Sequence, residues 1–520
     1  MREAVRELVS RLDSINSREE LESEKKRIAR KHHVMLGNSD IIEALSEEDK
    51  ERYRELLQIK RTRTAAGVSV VAVMTSPAPC PHGRCVYCPG GVKSPQSYTG
   101  GEPAALRAAQ YDYDPFAQTK ARIEQLERTG HPTDKIELII MGGTFTARDK
   151  GYKERFVKEC YDAMNEDQSS SIEEAVKKNE KTRHRCIGIT LETRPDFFMK
   201  REINEALSFG ATKVELGVQT VFDDILEKVG RKHGTSETAE STALARDAGF
   251  KICYHMMPGL PYSDESKDLQ SFRKIFEDDR FKPDMLKIYP TLVIKGTALY
   301  DMWKKGEYTP MDEERAIDLL SKVKSFVPPW VRIQRIERDV PVKNIEAGIR
   351  RSDIRELIHE RMTSEGKECR CIRCREAGFK KTKRAARIEL LRMEYNASKA
   401  REVFLSFEDI DNDIILGYLR LRLMDEPMIR ELKVVGQELP LGAKSTNSYQ
   451  HRGYGKELVA EAEHIATEEG YDSIRIICGP GVREYYRKIG YSLEGYYMRK
   501  VIAQNASTNH DTTASTNSAS

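Results

Sequence analysis

Three cysteines carry the first chemistry in this chain. Cys80, Cys85 and Cys88 have the spacing Cys-x4-Cys-x2-Cys within CPHGRCVYCPGG (80–91). Prolines and glycines around them predict a loop able to wrap a compact group. Structural zinc takes four protein ligands, whereas an iron–sulfur cubane held by three cysteines keeps one iron open to a substrate. His82 would complete a zinc knuckle, so spacing alone leaves a cluster, a zinc ion and idle thiols all open. Cys369, Cys371 and Cys374 form a second thiol group, CRCIRC. It invites a soft metal. No fourth ligand is visible in that motif. His359 lies ten residues upstream, and structural zinc is favoured over a second cluster or free thiols.

A third stretch is suited to phosphate. Gln450, His451, Arg452, Gly453, Tyr454, Gly455 and Lys456 open an amphipathic helical pattern that runs to about residue 470. A glycine turn at a helix start presents free N–H groups and the positive end of the dipole, which fits a pyrophosphate. Glycine turns are common, but this one follows a strand pattern and precedes a helix, the context the chemistry needs. Tyr485 and Tyr486 follow in GVREYYRKIGY (481–491). Half-buried aromatics are their ordinary reading, and a phenol that protonates a leaving thiolate is the chemical one.

These residues need elements to position them. From residue 64 to 340, seven short β-branched apolar runs alternate with charged helical segments: 68–74, 136–143, 186–193, 213–220, 251–259, 285–294 and 330–337. Such alternation predicts βα units and a parallel sheet, with function collected where strands end. The cysteine loop follows the first run. Gly142 and Gly143 end the second, Glu192, Thr193 and Arg194 the third, and Gln219 the fourth. Lys287 and Tyr289 lie on the sixth. Residues 388–500 read as a mixed sheet with the glycine-turn helix.

The composition sets limits. The chain has 520 residues, 39% hydrophobic and 32% charged, with net charge +3. It contains no apolar run of about 18 residues, so no membrane span is expected. The charged start MREAVRELVS is not a secretory signal. Ten cysteines, six of them in two tight groups, suggest metal binding in a reducing cytoplasm rather than disulfides. Lys25, Lys26, Arg27, Arg30, Lys31, His32 and His33 form a basic run that Arg61 and Arg63 extend. A solvated helix face and a phosphate contact are both open there. Residues 361–387 hold ten Lys or Arg against three Glu, a net of +7, which favours nucleic acid.

The cysteine loop with its PGG, followed by SYTGGEP (97–103), resembles the catalytic subunit of Elongator in its archaeal or bacterial form, over about residues 61–500. The four-residue gap between the first two cysteines departs from the three of most radical S-adenosylmethionine (SAM) enzymes but suits this family. The resemblance implies an α/β chain: a partial (β/α)6 TIM-like radical SAM barrel joined to a GCN5-related (GNAT-type) mixed α/β acetyltransferase domain. It implies a 4Fe-4S cluster on Cys80, Cys85 and Cys88, and SAM beside Gly142, Gly143, Glu192 and Gln219. It also implies acetyl-CoA on Lys135, Glu431, Leu432, Lys433, Val434, Gln450, Gly453, Tyr454, Gly455, Lys456 and Tyr486. A histidine often stands at the position of Lys433. The expected domains are a tRNA-contacting region (1–63), the radical SAM domain (64–340), a basic Cys-rich linker with a zinc candidate (341–387) and the acetyltransferase domain (388–500). The Ser/Thr/Asn-rich tail 501–520 cannot bury a core. The implied reaction forms 5-carboxymethyluridine at the wobble position of tRNA, in a cytoplasmic monomer or homodimer acting without other Elongator subunits. The alternative is a protein lysine acetyltransferase with a structural cluster.

Overall fold

Strands buried on both faces are near-continuous apolar runs, and the alternating runs become seven of them. In the computed structural model, which describes residues 1–60, 64, 67–91, 93–380, 387–435 and 453–502, these are β1 (Ser69–Met74), β2 (Lys135–Met141), β3 (Arg185–Thr193), β4 (Ala211–Gln219), β5 (Lys251–Met256), β6 (Met285–Ile288) and β7 (Arg332–Ile336). They lie side by side in chain order, and every neighbouring pair is parallel. The order never returns β7 to β1, so both are edges and the barrel is open on one side. The expected six βα units are present, and β7 adds a seventh strand. Covering helices start at aspartate caps: Asp114, Asp149, Asp264 and Asp312 accept from the N–H of Ala117, Tyr152, Lys267 and Arg315 at 2.7–3.2 Å, each stabilising its helix by about 1 kcal/mol.

β2 shows how the interior is made. Ile136, Leu138 and Ile140 are buried, while Lys135, Glu137, Ile139 and Met141 are only half-buried and line an internal chamber. The period of two sends alternate side chains to opposite faces. One face therefore packs under helices and the other borders open space.

The second sheet contains β8 (Ile388–Ala397), β9 (Ala400–Asp409), β10 (Ile414–Leu423), β11 (Met428–Val434), β12 (Ser473–Ile477), β13 (Ser492–Glu494) and β14 (Tyr497–Val501). Its order is β8-β9-β10-β11-β12-β14-β13, and only β11–β12 is parallel. The helix Tyr454–Glu468 buries Leu458, Val459, Ala462 and Ile465 against it.

Two devices join sheet to barrel. The first is a buried charge network. Arg430 donates to Asp284 at 2.7 and 2.9 Å and to Glu402 at 2.7 Å, and Arg420 donates to Glu431 at 2.8 Å. The second is a close backbone approach. A Cβ on Gly479 would lie 2.4 Å from the carbonyl carbon of Ile187 in β3, so only glycine lets this loop dock. Arg483 and Arg487 then both reach Glu180, at 2.9 and 2.7 Å. A small N-terminal helical module has its own core around Ala4, Leu8, Leu21, Ile28 and Ile41. Among the described residues no helix is long and apolar enough to cross a membrane.

Candidate active site

Cys80, Cys85 and Cys88 line a cavity of about 150 Å³ where the strands end. At least one pair of these sulfurs is more than 4.8 Å apart. Ligands about 2.3 Å from a single zinc would sit closer than that. This separation argues against the zinc knuckle, and His82 instead contacts the Cys85 sulfur at 3.2 Å. Burial, then Arg194 and Arg231, lowers the His82 pKa to about 3, so the ring is neutral. Arg231, buried, reaches the Cys85 sulfur at 3.9 Å and the Gly217 carbonyl at 2.5 Å. A fixed cation beside thiolates suits an anionic cluster.

The same cavity collects the strand-end residues Gly143, Glu192, Thr193, Arg194, Gln219 and Tyr289. Gly142 and Gly143 both have positive φ, and a Cβ on Gly143 would come within 3.9 Å of the Cys80 sulfur. Gln219 itself has φ +73, a costly conformation for a non-glycine residue and one that clusters at functional sites. Arg194 Nη1 and Gln219 Oε1 are buried without hydrogen-bond partners among the described residues. Such orphaned groups await a polar ligand. Three spread thiols, a neighbouring cation and unpaired polar atoms fit an iron–sulfur cluster with SAM beside it.

Where the barrel interior meets the second sheet lies a chamber of about 1350 Å³. It is lined by Lys135 at the start of β2, by Glu431–Val434, by Gly453–Lys456 and by Tyr485 and Tyr486. Parallel pairing of β11 with β12 covers only Met428 and Ile429. Beyond it the strands part, and the backbone of Glu431–Val434 has an open side. Gly453 starts the adjacent helix at φ +97. A Cβ on Gly455 would meet the Tyr485 hydroxyl at 3.3 Å and Val434 at 3.6 Å, so turn, strand and tyrosine share one corner. Tyr486 is 5% exposed, and burial pushes its phenol well above the usual tyrosine range. Lys433 borders the chamber too, its pKa lowered by burial. Gln450, Arg61 and Arg63 lie outside the described residues.

Cavity and chamber share Met141, Glu192, Lys287 and Arg335. At that junction Tyr98 donates to Glu192 at 2.5 Å, and Lys287 pairs with Glu215 and, at 3.6 Å, Glu192. Glu137 holds Lys213 at 2.5 Å. Glu215, Cys253 and His255 cluster within 4.8 Å, but Lys213 and Lys287 already neutralise Glu215, so this is a charge network rather than a cation site. Lys251 has no ion pair or hydrogen bond among the described residues, and burial lowers its pKa to about 8. Glu192 and Lys287 stand among the residues expected from sequence, whereas Arg231, Glu137, Lys213, Glu215 and Lys251 do not.

Cys369, Cys371 and Cys374 lie within 4.8 Å of one another, a spacing that fits one thiophilic ion. His359 is exposed and does not join them. In the N-terminal run, Glu22, Glu24 and Glu7 pair with Lys25, Arg27, Lys31 and His32. Lys26, Arg30 and His33 have no ion pair among the described residues.

Sequence and structure comparisons converge. Residues 76–272 match the radical SAM superfamily and 283–364 its C-terminal domain. Residues 1–65 match the ELP3 N-terminal domain and 373–491 the GNAT acetyltransferase family. A "tRNA uridine(34) acetyltransferase" from Methanocaldococcus jannaschii is 50% identical over 507 residues, 93% of this chain and 94% of that protein. The chain belongs to the Elongator protein 3 family. Human "Elongator complex protein 3" is 43% identical over 488 residues, 89% of each chain. The archaeal Elp3 of Methanocaldococcus infernus, solved without its first 46 residues, superposes with a TM-score of 0.74 at 46% identity, covering 84% of this chain and 99% of that one. Membership brings radical SAM and acetyltransferase chemistry into one chain, and the family implies a 4Fe-4S cluster, SAM and acetyl-CoA.

Proposed function

We propose that this chain modifies the wobble uridine of tRNA: the methyl carbon of acetyl-CoA, after losing a hydrogen atom, bonds to carbon 5, the adduct loses an electron and the carbon 5 proton, and water hydrolyses the thioester, leaving 5-carboxymethyluridine and free coenzyme A. The observation that carries the reading is that cavity and chamber adjoin, with Met141, Glu192 and Lys287 in the wall of both. A radical centre set against an acyl-CoA cleft serves a reaction that consumes both cofactors. The names of the methanogen relatives support tRNA uridine as substrate.

Cys80, Cys85 and Cys88 would hold the 4Fe-4S cluster, which when bound supplies the electron that cleaves SAM and yields a radical able to take hydrogen from an unactivated methyl group. Arg194 and Gln219 bind the polar ends of SAM with their unpaired atoms. Gly453–Lys456 and the helix behind them take the pyrophosphate of coenzyme A. The open backbone of Glu431–Val434 aligns the pantetheine amides, with Lys135 facing the acyl end. Tyr486, kept protonated by burial, gives its proton to the departing thiolate. An anticodon loop offers unstacked bases, and the gap between β1 and β7 admits one from the side. Lys26 and Arg30 contact the tRNA phosphates outside the barrel, and Cys369, Cys371 and Cys374 hold a structural zinc.

Anaerobically reconstituted protein with SAM, acetyl-CoA, a reductant and bulk tRNA tests this, with nucleosides read by mass spectrometry. 5-Carboxymethyluridine is expected, absent with Cys85→Ser and reduced with Tyr486→Phe. No modified uridine, together with lysine acetylation that needs no SAM, would replace this reading with the lysine acetyltransferase.

A further inference from the structure

The basic segment 361–387 is less free than its net charge suggests. Arg361 pairs with Glu314 and Asp318, Lys367 with Glu365, and Arg370 and Lys380 with Asp413. Arg375 is buried on Glu408, and Arg387 pairs with Glu389. Lys381, Lys383 and Arg384 lie outside the described residues. Among the described cations of the segment, Arg373 alone has no carboxylate. Its guanidinium lies over the ring of Phe379, the carbon 4.0 Å from the ring centroid, and Glu376 acts on it only from beyond ion-pair distance. Both side chains line the internal chamber. Ile372 donates to the Val331 carbonyl at 2.9 Å, which sets Arg373 beside edge strand β7. The nearby Arg332 is already held by both oxygens of Glu376, at 2.6 and 2.8 Å.

We propose that Arg373 and Phe379 form a nucleotide subsite at the open edge of the barrel, where a base of the RNA loop stacks on the guanidinium–ring pair and a backbone phosphate meets the guanidinium N–H edge. The inference rests on the tRNA reading above and names where the strand beside the target uridine is held. A planar cation on an aromatic ring is a stacking platform for unpaired bases, and a guanidinium matches phosphate geometry. Coenzyme A also carries phosphate, but the glycine turn at Gly453 already offers its pyrophosphate a helix N-terminus, and Phe379 adds nothing for a phosphate alone.

The test uses the full chain and a fluorescein-labelled anticodon stem-loop RNA, read by anisotropy. Coenzyme A binding is measured separately by calorimetry. Arg373→Ala is expected to weaken RNA binding roughly five- to a hundred-fold, with Arg373→Lys restoring only part. Phe379→Leu, outside the cysteine motif, is expected to weaken it as well. An RNA with an abasic nucleotide at the stacked position removes the difference between wild type and Phe379→Leu. Coenzyme A affinity stays unchanged in all variants. Wild-type RNA affinity in both Arg373→Ala and Phe379→Leu, or a loss confined to coenzyme A binding, overturns the subsite. Failure of the wild-type chain to bind the RNA refutes the tRNA reading itself, and the subsite with it.

Discussion

Asp284 holds the two halves of the molecule together, and removing it should be severe. Its carboxylate is fully buried and accepts from Arg430 twice, at 2.7 and 2.9 Å, and from the Ile252 N–H at 2.9 Å. Arg420 lies 3.6 Å away. The surrounding network contains four guanidinium groups (Arg246, Arg420, Arg422 and Arg430) and four carboxylates (Asp247, Asp284, Glu402 and Glu431). Asp284→Ala leaves one positive charge unbalanced in a dry interior, which costs about 3–5 kcal/mol. A surface pair would cost at most about 1 kcal/mol. Arg430→Met alone should cost a similar amount. The double variant restores the balance and should cost well under the sum of the two. Urea unfolding followed by Trp330 fluorescence reads this in a Trp303→Phe background, because Trp330 stacks on Tyr395 of β8 with centroids 4.2 Å apart. Burial would raise the Asp284 pKa, but Arg430 and Arg420 outweigh it and hold the group well below the usual carboxylate range. Its contribution is therefore present above about pH 4 and is lost as pH falls through the depressed folded value. A single-variant cost below about 1 kcal/mol, or strict additivity in the double variant, refutes the reasoning.

Three further outcomes are expected. Gly479→Ala forces apart the loop and β3, so the melting temperature should drop by the equivalent of about 1–3 kcal/mol, and coenzyme A affinity, read by calorimetry, should fall because Tyr485 and Tyr486 move with the loop. Tyr486→Phe should keep that affinity but slow thiol release from acetyl-CoA, read with a thiol reagent. With the phenol raised by burial, the wild-type rate should not fall between about pH 7 and 9 through loss of that proton. Cys371→Ser should remove about one zinc per chain by elemental analysis while leaving iron content unchanged.

What could be read in the sequence was local. The seven barrel strands were legible because buried strands are continuous apolar runs, and the cysteine loop because its ligands are neighbours in the chain. Arg231 was not, because it reaches Cys85 from 146 residues away and only the sheet order brings them together. Nothing local marks Gly479, since its reason is the backbone of β3. The interior charges did leave a signal: Glu137, Lys213, Glu215 and Lys287 interrupt apolar strands, and a charge in a buried strand requires a partner. The two basic runs are less free than their composition suggests. Composition counts cations but does not pair them with Glu7, Asp413 or Glu408, which arrive from elsewhere.

The missing closure between β7 and β1 has a consequence for how substrates get in. A closed eight-stranded barrel fills its middle with layered apolar side chains. Here seven strands leave the middle hollow, and β2 spans it from Lys135 to Met141, roughly 20 Å at about 3.3 Å per residue. The hollow is lined with charge, and most of it is paired: Glu137 is engaged with Lys213 and Glu215 with Lys287. An amide, carbonyl or phosphate entering there would take over a hydrogen bond that another side chain releases. A polar macromolecule can enter such a passage without first being stripped of its hydrogen bonds, which a packed apolar core would demand.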